Sequence, residues 1–418
     1  MNAPYGKSGN IQITEKDMID QRVIFLIDDW EFYQNEIYNP EELLRLKPIP
    51  HYIFIGQYPN FSLMKGKNIT KGTYRMVINH TKATQEIFIK IPEIFTEYSL
   101  YINGQLQDAY TGDILSLGNN EQTEILIQIH HSKHYYDGIY YPFAIGTIQA
   151  IQRMNFIQHT IYIGMAIFSL ILFLFAITLR RQDKDSVFTI FAYMCLSFSL
   201  YCLYPIVHTL LSSYSTIAYR LEDFLNFLSI ALLLKLCATI VKIDKHFLYR
   251  KCILPISILV VACVIIIPGL FLPNHKQLIN AYGSFIDIFK WISSLYLFYC
   301  AYFAFKSKNT YAIYILAGGT IFSITQLFNF FFNNLFEPIY GCWQAEYGSF
   351  IIILIYLMIV LKRNRILMKD NLILNEHLEQ AIEQRTKEME HLLEERKAFF
   401  SDVAHDLKAP LGAIQNYT

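Results

Sequence analysis

Seven runs of apolar residues, each near the length that crosses a bilayer, constrain this 418-residue chain more than any other feature. A hydrocarbon core takes about twenty mostly apolar residues per helix. Such runs occur at 157–179, 187–211, 217–241, 253–272, 282–304, 311–333 and 346–361. The last is the shortest, but Lys362 and Arg363 end it and can carry their charges to the interface. The chain is only 17% charged, against roughly 25% for an ordinary soluble domain. Its formal net charge of zero leaves no electrostatic footprint for nucleic acid.

The links between the runs predict their direction. Nine basic residues (Arg180, Arg181, Lys184, Lys242, Lys245, Arg250, Lys251, Lys306 and Lys308) occupy the first, third and fifth links, against Lys276 alone in the others. Basic loops stay cytoplasmic, so residues 1–150 are expected outside the membrane and the C-terminus in the cytoplasm. A retinal protein would need a lysine in its last span, and Tyr347–Leu361 has none. No inverted repeat with broken helices suggests a transporter. Pro205 and Pro255 stand singly near span ends. Arg220, Glu222, Asp223, Asp287 and Lys290 fall inside the spans toward the outer leaflet. Charges there usually face the bundle interior in pairs. They are candidates for structural ion pairs or for a relay beneath the outer domain. Lys235, near the inner end of its run, is expected to snorkel.

The runs divide the chain into a tail (1–17), a β domain (18–150), a seven-helix bundle (151–362), a charged helix (363–395) and the start of a further helical domain (396–418). Ile87, Ile89 and Ile91 alternate with Phe88 and Lys90, and Ile125, Ile127 and Ile129 alternate likewise, the period of half-buried strands. Asn103-Gly104 after Tyr98–Ile102 marks a tight hairpin. Many short strands separated by turns predict an all-β sandwich of the jelly-roll kind. All seven cysteines lie at Cys195 or beyond, so this domain has no disulfide framework. Met1–Asp29 lacks the uninterrupted apolar core of a signal peptide, so an export signal is expected to lie outside this chain.

The run Phe25-Leu26-Ile27-Asp28-Asp29-Trp30-Glu31-Phe32-Tyr33, then Gly72-Thr73-Tyr74-Arg75, Ile91-Pro92 and Leu100-Tyr101-Ile102-Asn103-Gly104, precede the seven spans in that order. Together they resemble bacterial seven-transmembrane receptors with diverse intracellular signalling modules. The resemblance covers residues 20–361. It implies a galactose-binding-like jelly roll, related in shape to carbohydrate-binding modules, and no particular ligand. Within the domain, Tyr135, Tyr136, Tyr140 and Tyr141 could stack on a sugar ring, though such tyrosines more often pack a domain onto the membrane interface. His130, His131, His134 and Asp137 have metal-ligand chemistry, but a strand end does not converge them as a helix would, and no metal site is expected.

From Leu361 the chain reads as one charged helix with no proline or glycine until Pro410. Met368, Leu378, Ile382, Met389, Leu392, Phe399 and Val403 take a and d positions of one heptad frame, with Asn371, Asn375, Arg385 and Arg396 at the rest. An apolar seam with polar interruptions predicts a parallel coiled-coil homodimer of limited strength.

Phe399-Phe400-Ser401-Asp402-Val403-Ala404-His405-Asp406-Leu407-Lys408-Ala409-Pro410-Leu411 resembles the phosphoacceptor motif of sensor histidine kinases at nearly every position. The resemblance implies that His405 takes the γ-phosphate of ATP, with Asp406 orienting its ring as the third member of a catalytic triad orients its histidine. Lys408 can offset phosphate charge, and Pro410, lacking an N–H, should loosen or bend the helix a turn beyond. Many relatives carry threonine or asparagine four residues after the histidine to position water for dephosphorylation. Ala409 cannot do that, which puts phosphatase activity in doubt.

The ATP-lid motifs and the Mg²⁺ ligand of such kinases do not occur before Thr418. ATP and Mg²⁺ are therefore expected to be bound by a longer, intact protein, which would pass phosphate to an aspartate of a response regulator. Other expected partners are membrane lipid and an extracytoplasmic small molecule of carbohydrate type. The alternative is a seven-helix receptor whose tail only dimerises or accepts phosphate.

Overall fold

The computed structural model describes residues 5–14, 16–17, 22–55, 71–80, 86–94, 96–108, 112–118, 120–130, 138–139, 141–182, 184–210, 215–272, 275, 278–332 and 343–415, without side chains at 209–210, 215–216, 329–332 and 405–415. The chain divides into two compact units, Met1–Leu357 and Met358–Thr418.

The first unit opens with the strands β1 (Asn10–Ile13), β2 (Ile24–Leu26), β3 (Trp30–Gln34), β4 (His51–Ile53), β5 (Gly72–His80), β6 (Ile87–Lys90), β7 (Tyr98–Ile102), β8 (Gln105–Gln107), β9 (Ile114–Gly118), β10 (Gln122–Ile129) and β11 (Phe143–Gly146). One sheet runs β4-β3-β5-β10-β7-β8 with β1 added beside β5; the other runs β2-β11-β6-β9. Neighbours pair antiparallel except β1, which lies parallel to β5 with Asn10 opposite Val77 and Ile13 opposite His80. The expected N-terminal tail is thus partly a strand. Ile11 and Ile13 explain why, since both are buried in the core.

Both sheets feed one core, in which Ile87, Ile89, Phe143 and Ile145 of the smaller sheet meet Trp30, Phe32, Met76, Ile125 and Ile127 of the larger. Each such side chain contributes about 1.5–3 kcal/mol on burial. Trp30, fully buried, has a polar edge that must find a partner, and its indole Nε1 donates to Leu26 O at 3.0 Å. Gly72 lets β5 pass the Phe32 ring, which a Cβ there would meet at 2.5 Å.

The alternation of β6 and β10 holds on the core face, but Leu126, on the opposite face, is also buried. Helix α1 (Pro40–Leu46) supplies the cover, placing Leu43 with Tyr33 against Leu126. Gln128, buried on the same face, is satisfied by Tyr38 O at 3.0 Å and Asn39 Oδ1 at 2.8 Å. The expected hairpin is present: Ile102 pairs with Gln105 across Asn103 and Gly104, whose φ angles of 49° and 79° are both positive. A type I′ turn requires that sign at both central residues.

Directly after β11 come α2 (Ile148–Gln182), α3 (Ser186–Tyr201), α4 (Tyr204–Leu210), α5 (Ser215–Val241), a π-helical turn (Leu248–Ile253), α6 (Leu254–Leu270), α7 (Ile279–Lys306), α8 (Ala312–Phe332) and α9 (Gln344–Gln415). Among the described residues, five helical stretches are long and apolar enough to cross a membrane: Ile148–Gln182, Ile217–Val241, Leu248–Leu270, Ile279–Lys306 and Gln344–Ala404. The runs at 187–211 and 311–333 hold shorter apolar helices, Ser186–Tyr201 and Ala312–Phe328. The first is not one span-length helix as expected. It breaks at Cys202-Leu203, just before Pro205, which cannot donate a helical N–H. Pro255 instead sits in the first turn of α6, where that N–H is not needed.

In the second unit, the α9 residues Met368, Leu378, Ile382, Met389, Leu392, Phe399 and Val403 are all exposed. Lys387 and Glu383 pair at 2.7 Å one turn apart on the polar side.

Candidate functional site

The motif residues of the β domain are held by a cross-strand ion cluster. Arg75 on β5 faces Glu31 on β3, its Nη1 lies 2.9 Å from Glu31 Oε2, and its Nε lies 2.5 Å from Glu124 Oε1 on β10. Burial alone would lower the guanidinium pKa, but the hydrogen bonds it donates to Glu124 and Glu31 outweigh that and raise it. The Tyr33 hydroxyl donates to Glu31 Oε2 at 2.9 Å, and burial together with that carboxylate pushes the phenol pKa up. One guanidinium bonded to both carboxylates thus ties β3, β5 and β10 together across the sheet.

A second cluster gathers where the β domain meets the helices. Glu93 lies between β6 and β7; His208 is on α4, and Tyr219 and Glu222 are in the first two turns of α5. His208 Nδ1 is 3.1 Å from Glu93 Oε2, and its Nε2 is 3.2 Å from Glu222 Oε2, a close contact without hydrogen-bond alignment. The Tyr219 hydroxyl donates to Glu93 Oε2 at 3.1 Å and reaches the Tyr141 hydroxyl at 3.4 Å. An imidazole between two carboxylates, closed over by phenol rings, ties the domain to the bundle through the hydrogen bonds that Glu93 makes with His208 and Tyr219.

The cluster continues inward. The Tyr204 ring stands edge-on to His208 at 5.4 Å, and the Tyr162 and Tyr204 hydroxyls are 2.7 Å apart. Tyr162 also donates to Glu346 Oε2, which accepts from the Trp343 N–H at 2.9 Å; Tyr201 donates to Glu346 Oε1 at 3.2 Å. Glu346 is 2% exposed. A buried carboxylate costs several kcal/mol unless hydrogen-bonded, and here three donors meet it. It lies in the first turn of α9, so a series of hydrogen bonds, joined by the ring contact between His208 and Tyr204, runs from Glu93 to that helix.

Of the five charges expected in the spans, only Glu222 contacts His208 directly. Arg220 donates to Ile265 O at 2.9 Å and covers Gly269. Asp287 and Lys290 pair with each other at 3.5 Å. Asp223, one residue from Glu222, interacts electrostatically with Glu222, Lys290 and His208. Tyr141 packs with Tyr219, Leu272 and Ile279. Tyr135, Tyr136, Tyr140, His131, His134 and Asp137 lie outside the described residues. Glu93, His208, Tyr162 and Glu346 escaped the sequence reading. The one visible signal was a glutamate opening an apolar run.

His405, Asp406, Lys408 and Pro410 all fall on α9, and the helix continues through Pro410 to Gln415. Their side chains lie outside the described residues. In the heptad frame Asp406 follows Phe399 at the next d position, and His405 stands one residue off the seam.

No protein-family model and no curated protein matches the chain. Among solved structures, part of it is similar to a Bacteroides fragilis protein described as a β-galactosidase, at 16% identity and TM-score 0.25, over 30% of this chain and 23% of that one. A Ruminococcus gnavus β-glucuronidase matches at 13% identity and TM-score 0.22, over 29% of this chain and 28% of that one. The same enzyme with bound D-glucuronic acid matches at 13% identity and TM-score 0.22, over 30% and 29%. The chain thus spans less than a third of these relatives' own length. An N-terminal domain of largely antiparallel sheets followed by several long apolar helices is compatible with a membrane receptor bearing an ectodomain.

Proposed function

We propose that this chain is the sensing and phosphoacceptor part of a bacterial membrane sensor histidine kinase. In this reading the β domain is a jelly roll outside the cytoplasmic membrane that takes a small molecule of carbohydrate type. Seven helices span the bilayer, and α9 enters the cytoplasm and pairs with a second copy through its heptad seam. The intact protein supplies the ATP and Mg²⁺ site, and phosphate passes from His405 to an aspartate of a response regulator.

The observation that carries the reading is the run Phe399–Leu411 on a helix that extends unbroken from Gln344 to Gln415 and so begins in an apolar span. Other features support it. The shorter helices Ser186–Tyr201 and Ala312–Phe328 count as spans because the links on their two sides differ in basic content. The exposed seam residues of α9 are the chemistry a second copy would cover. The polar junction from Glu93 to Glu346 offers a route by which an event in the β domain reaches the first turn of the output helix.

The chemistry is an in-line transfer. A neutral imidazole nitrogen attacks the γ-phosphorus, the bond to the β-phosphate oxygen breaks, and ADP leaves. Asp406 holds the other ring nitrogen, and the remaining work is positioning and charge stabilisation. The test is to incubate the reconstituted chain with a histidine-kinase ATP-binding domain, Mg²⁺ and γ-labelled ATP. An acid-labile, base-stable label is expected, and His405→Gln should abolish it. Equal labelling of His405→Gln would overturn the reading.

A further inference from the structure

At the end of the bundle away from the β domain, helices α2, α3 and α5 enclose an open groove of about 680 Å³. Arg180 and Arg181 reach it from the last turn of α2, Lys184 from the link to α3, and Lys235 from α5. The hydroxyl-bearing Ser186 and Thr189 of α3 line its wall, and Ile177 and Ile190 its apolar floor. We propose that this groove binds the phosphate headgroup of an anionic phospholipid.

Charge and position carry the proposal. Four cations share one groove, and no ion pair joins any of them to a described carboxylate. Like charges so placed repel unless an anion sits among them. Lys235 matters most. It stands six residues before the end of α5 at Val241, inside an apolar helix, where a cation facing acyl chains alone is costly. Its place in the groove gives that cation a polar surrounding and completes a third side, which lysines on one loop could not.

The apolar surface decides between a lipid and a free anion. Leu170, Leu174, Ile177 and Arg181 are spaced four, three and four residues apart, which puts them on one face of α2. Leu170 is 42% exposed and Leu174 55%, so an apolar stripe leads from the groove along the bundle. A phosphate among the cations would leave its acyl chains lying on that stripe. Free phosphate would use none of it. Basic pockets between helix ends at a membrane surface are suited to such headgroups, each cation strengthening retention about fivefold.

Native mass spectrometry of the full chain in detergent tests this with short-chain phosphatidylglycerol and phosphatidylcholine as probes. Phosphatidylglycerol should be retained at least fivefold better. Arg181→Gln with Lys235→Gln should lower that retention by more than tenfold, whereas Arg250→Gln with Lys251→Gln, the same charge change elsewhere, should leave it within twofold. The single variants Arg180→Gln and Lys184→Gln, both at exposed positions, should each cost about fivefold and stand in if the double variant fails to fold. Equal retention of the two lipids, or unaltered retention in the groove variants, would overturn the proposal. So would an equal loss in the Arg250/Lys251 control. Displacement of phosphatidylglycerol by an equal concentration of inorganic phosphate would also refute it, by showing a free-anion site.

Discussion

His208 Nδ1 lies 3.1 Å from Glu93 Oε2, so a short helix of the helical bundle holds a carboxylate from the loop after β6. Both side chains are largely buried, at 9% and 19% exposure. Hydrogen bonds to charged groups contribute about 1.5–3 kcal/mol. His208→Ala should therefore lower thermal stability by that order and speed amide exchange at residues 91–94 and 204–208. Glu93→Gln keeps the shape and should cost less. Unchanged exchange in His208→Ala would show that the His208–Glu93 bond does not hold the junction.

The β7–β8 turn gives a sharper local test. Gly104 has φ of 79°, and a Cβ there would meet nothing closer than Pro40 Cβ at 3.9 Å. Space is available, so the cost of Gly104→Ala is conformational only, about 1–2 kcal/mol. Asn103→Gly keeps the positive φ but loses the bond that Asn103 Oδ1 accepts from the Glu124 N–H at 2.8 Å, so it should cost about 0.5–1.5 kcal/mol. Thermal melts read both costs, and an Asn103→Gly variant as stable as the wild type would show that this side-chain bond contributes nothing.

Lys90 supplies a pH test outside the spans. Burial lowers its pKa below the ordinary 10.5, and its Nζ donates to Asn155 Oδ1 at 2.7 Å. In the folded state it therefore binds fewer protons than in the unfolded state over the alkaline window ending near 10.5. Stability contributed by this group rises with pH across that window. Below it, the cost of burying the ammonium is fully present. The stability of wild type relative to Lys90→Met should increase as pH rises toward 10.5, read as the difference between their melting temperatures. A constant difference would refute the assignment.

The kinase reading predicts distinct effects at two neighbours of His405. Asp406→Asn should slow phosphate incorporation without unfolding the helix, because the ring loses its charged orienting partner. Ala409→Thr in the intact kinase should raise dephosphorylation of the regulator. Phosphotransfer assays separate these, and strong phosphatase activity in the Ala409 protein would overturn only the second.

Orientation and pairing are read by two cysteines. Leu106→Cys replaces a side chain 63% exposed on β8 and should react with an impermeant thiol reagent in intact spheroplasts of cells exporting the protein. Labelling only after lysis would reverse the topology. Leu378→Cys, at a d position of α9, should crosslink two copies in membranes, and complete absence of crosslinking would remove the coiled-coil dimer.

Periodicity by itself determined much of this protein. The alternation of Ile87 and Ile89, and of Ile125, Ile127 and Ile129, marked strands whose isoleucines are buried in the core. Asn103-Gly104 specified its turn, because few residues accept positive φ twice in succession. Apolar runs likewise marked the helices, since backbone groups in a membrane must bond within their own segment. These features are local, written within a few residues of each other. The tertiary structure alone decided the rest. Leu126 is buried because α1, more than eighty residues earlier, folds over it. Arg75 is matched by Glu31 and Glu124 through strand order. Glu93, His208, Tyr162 and Glu346 are scattered across the chain, each an ordinary residue in its own segment. Their joint chemistry exists only because burial in a packed junction makes every polar atom seek a partner.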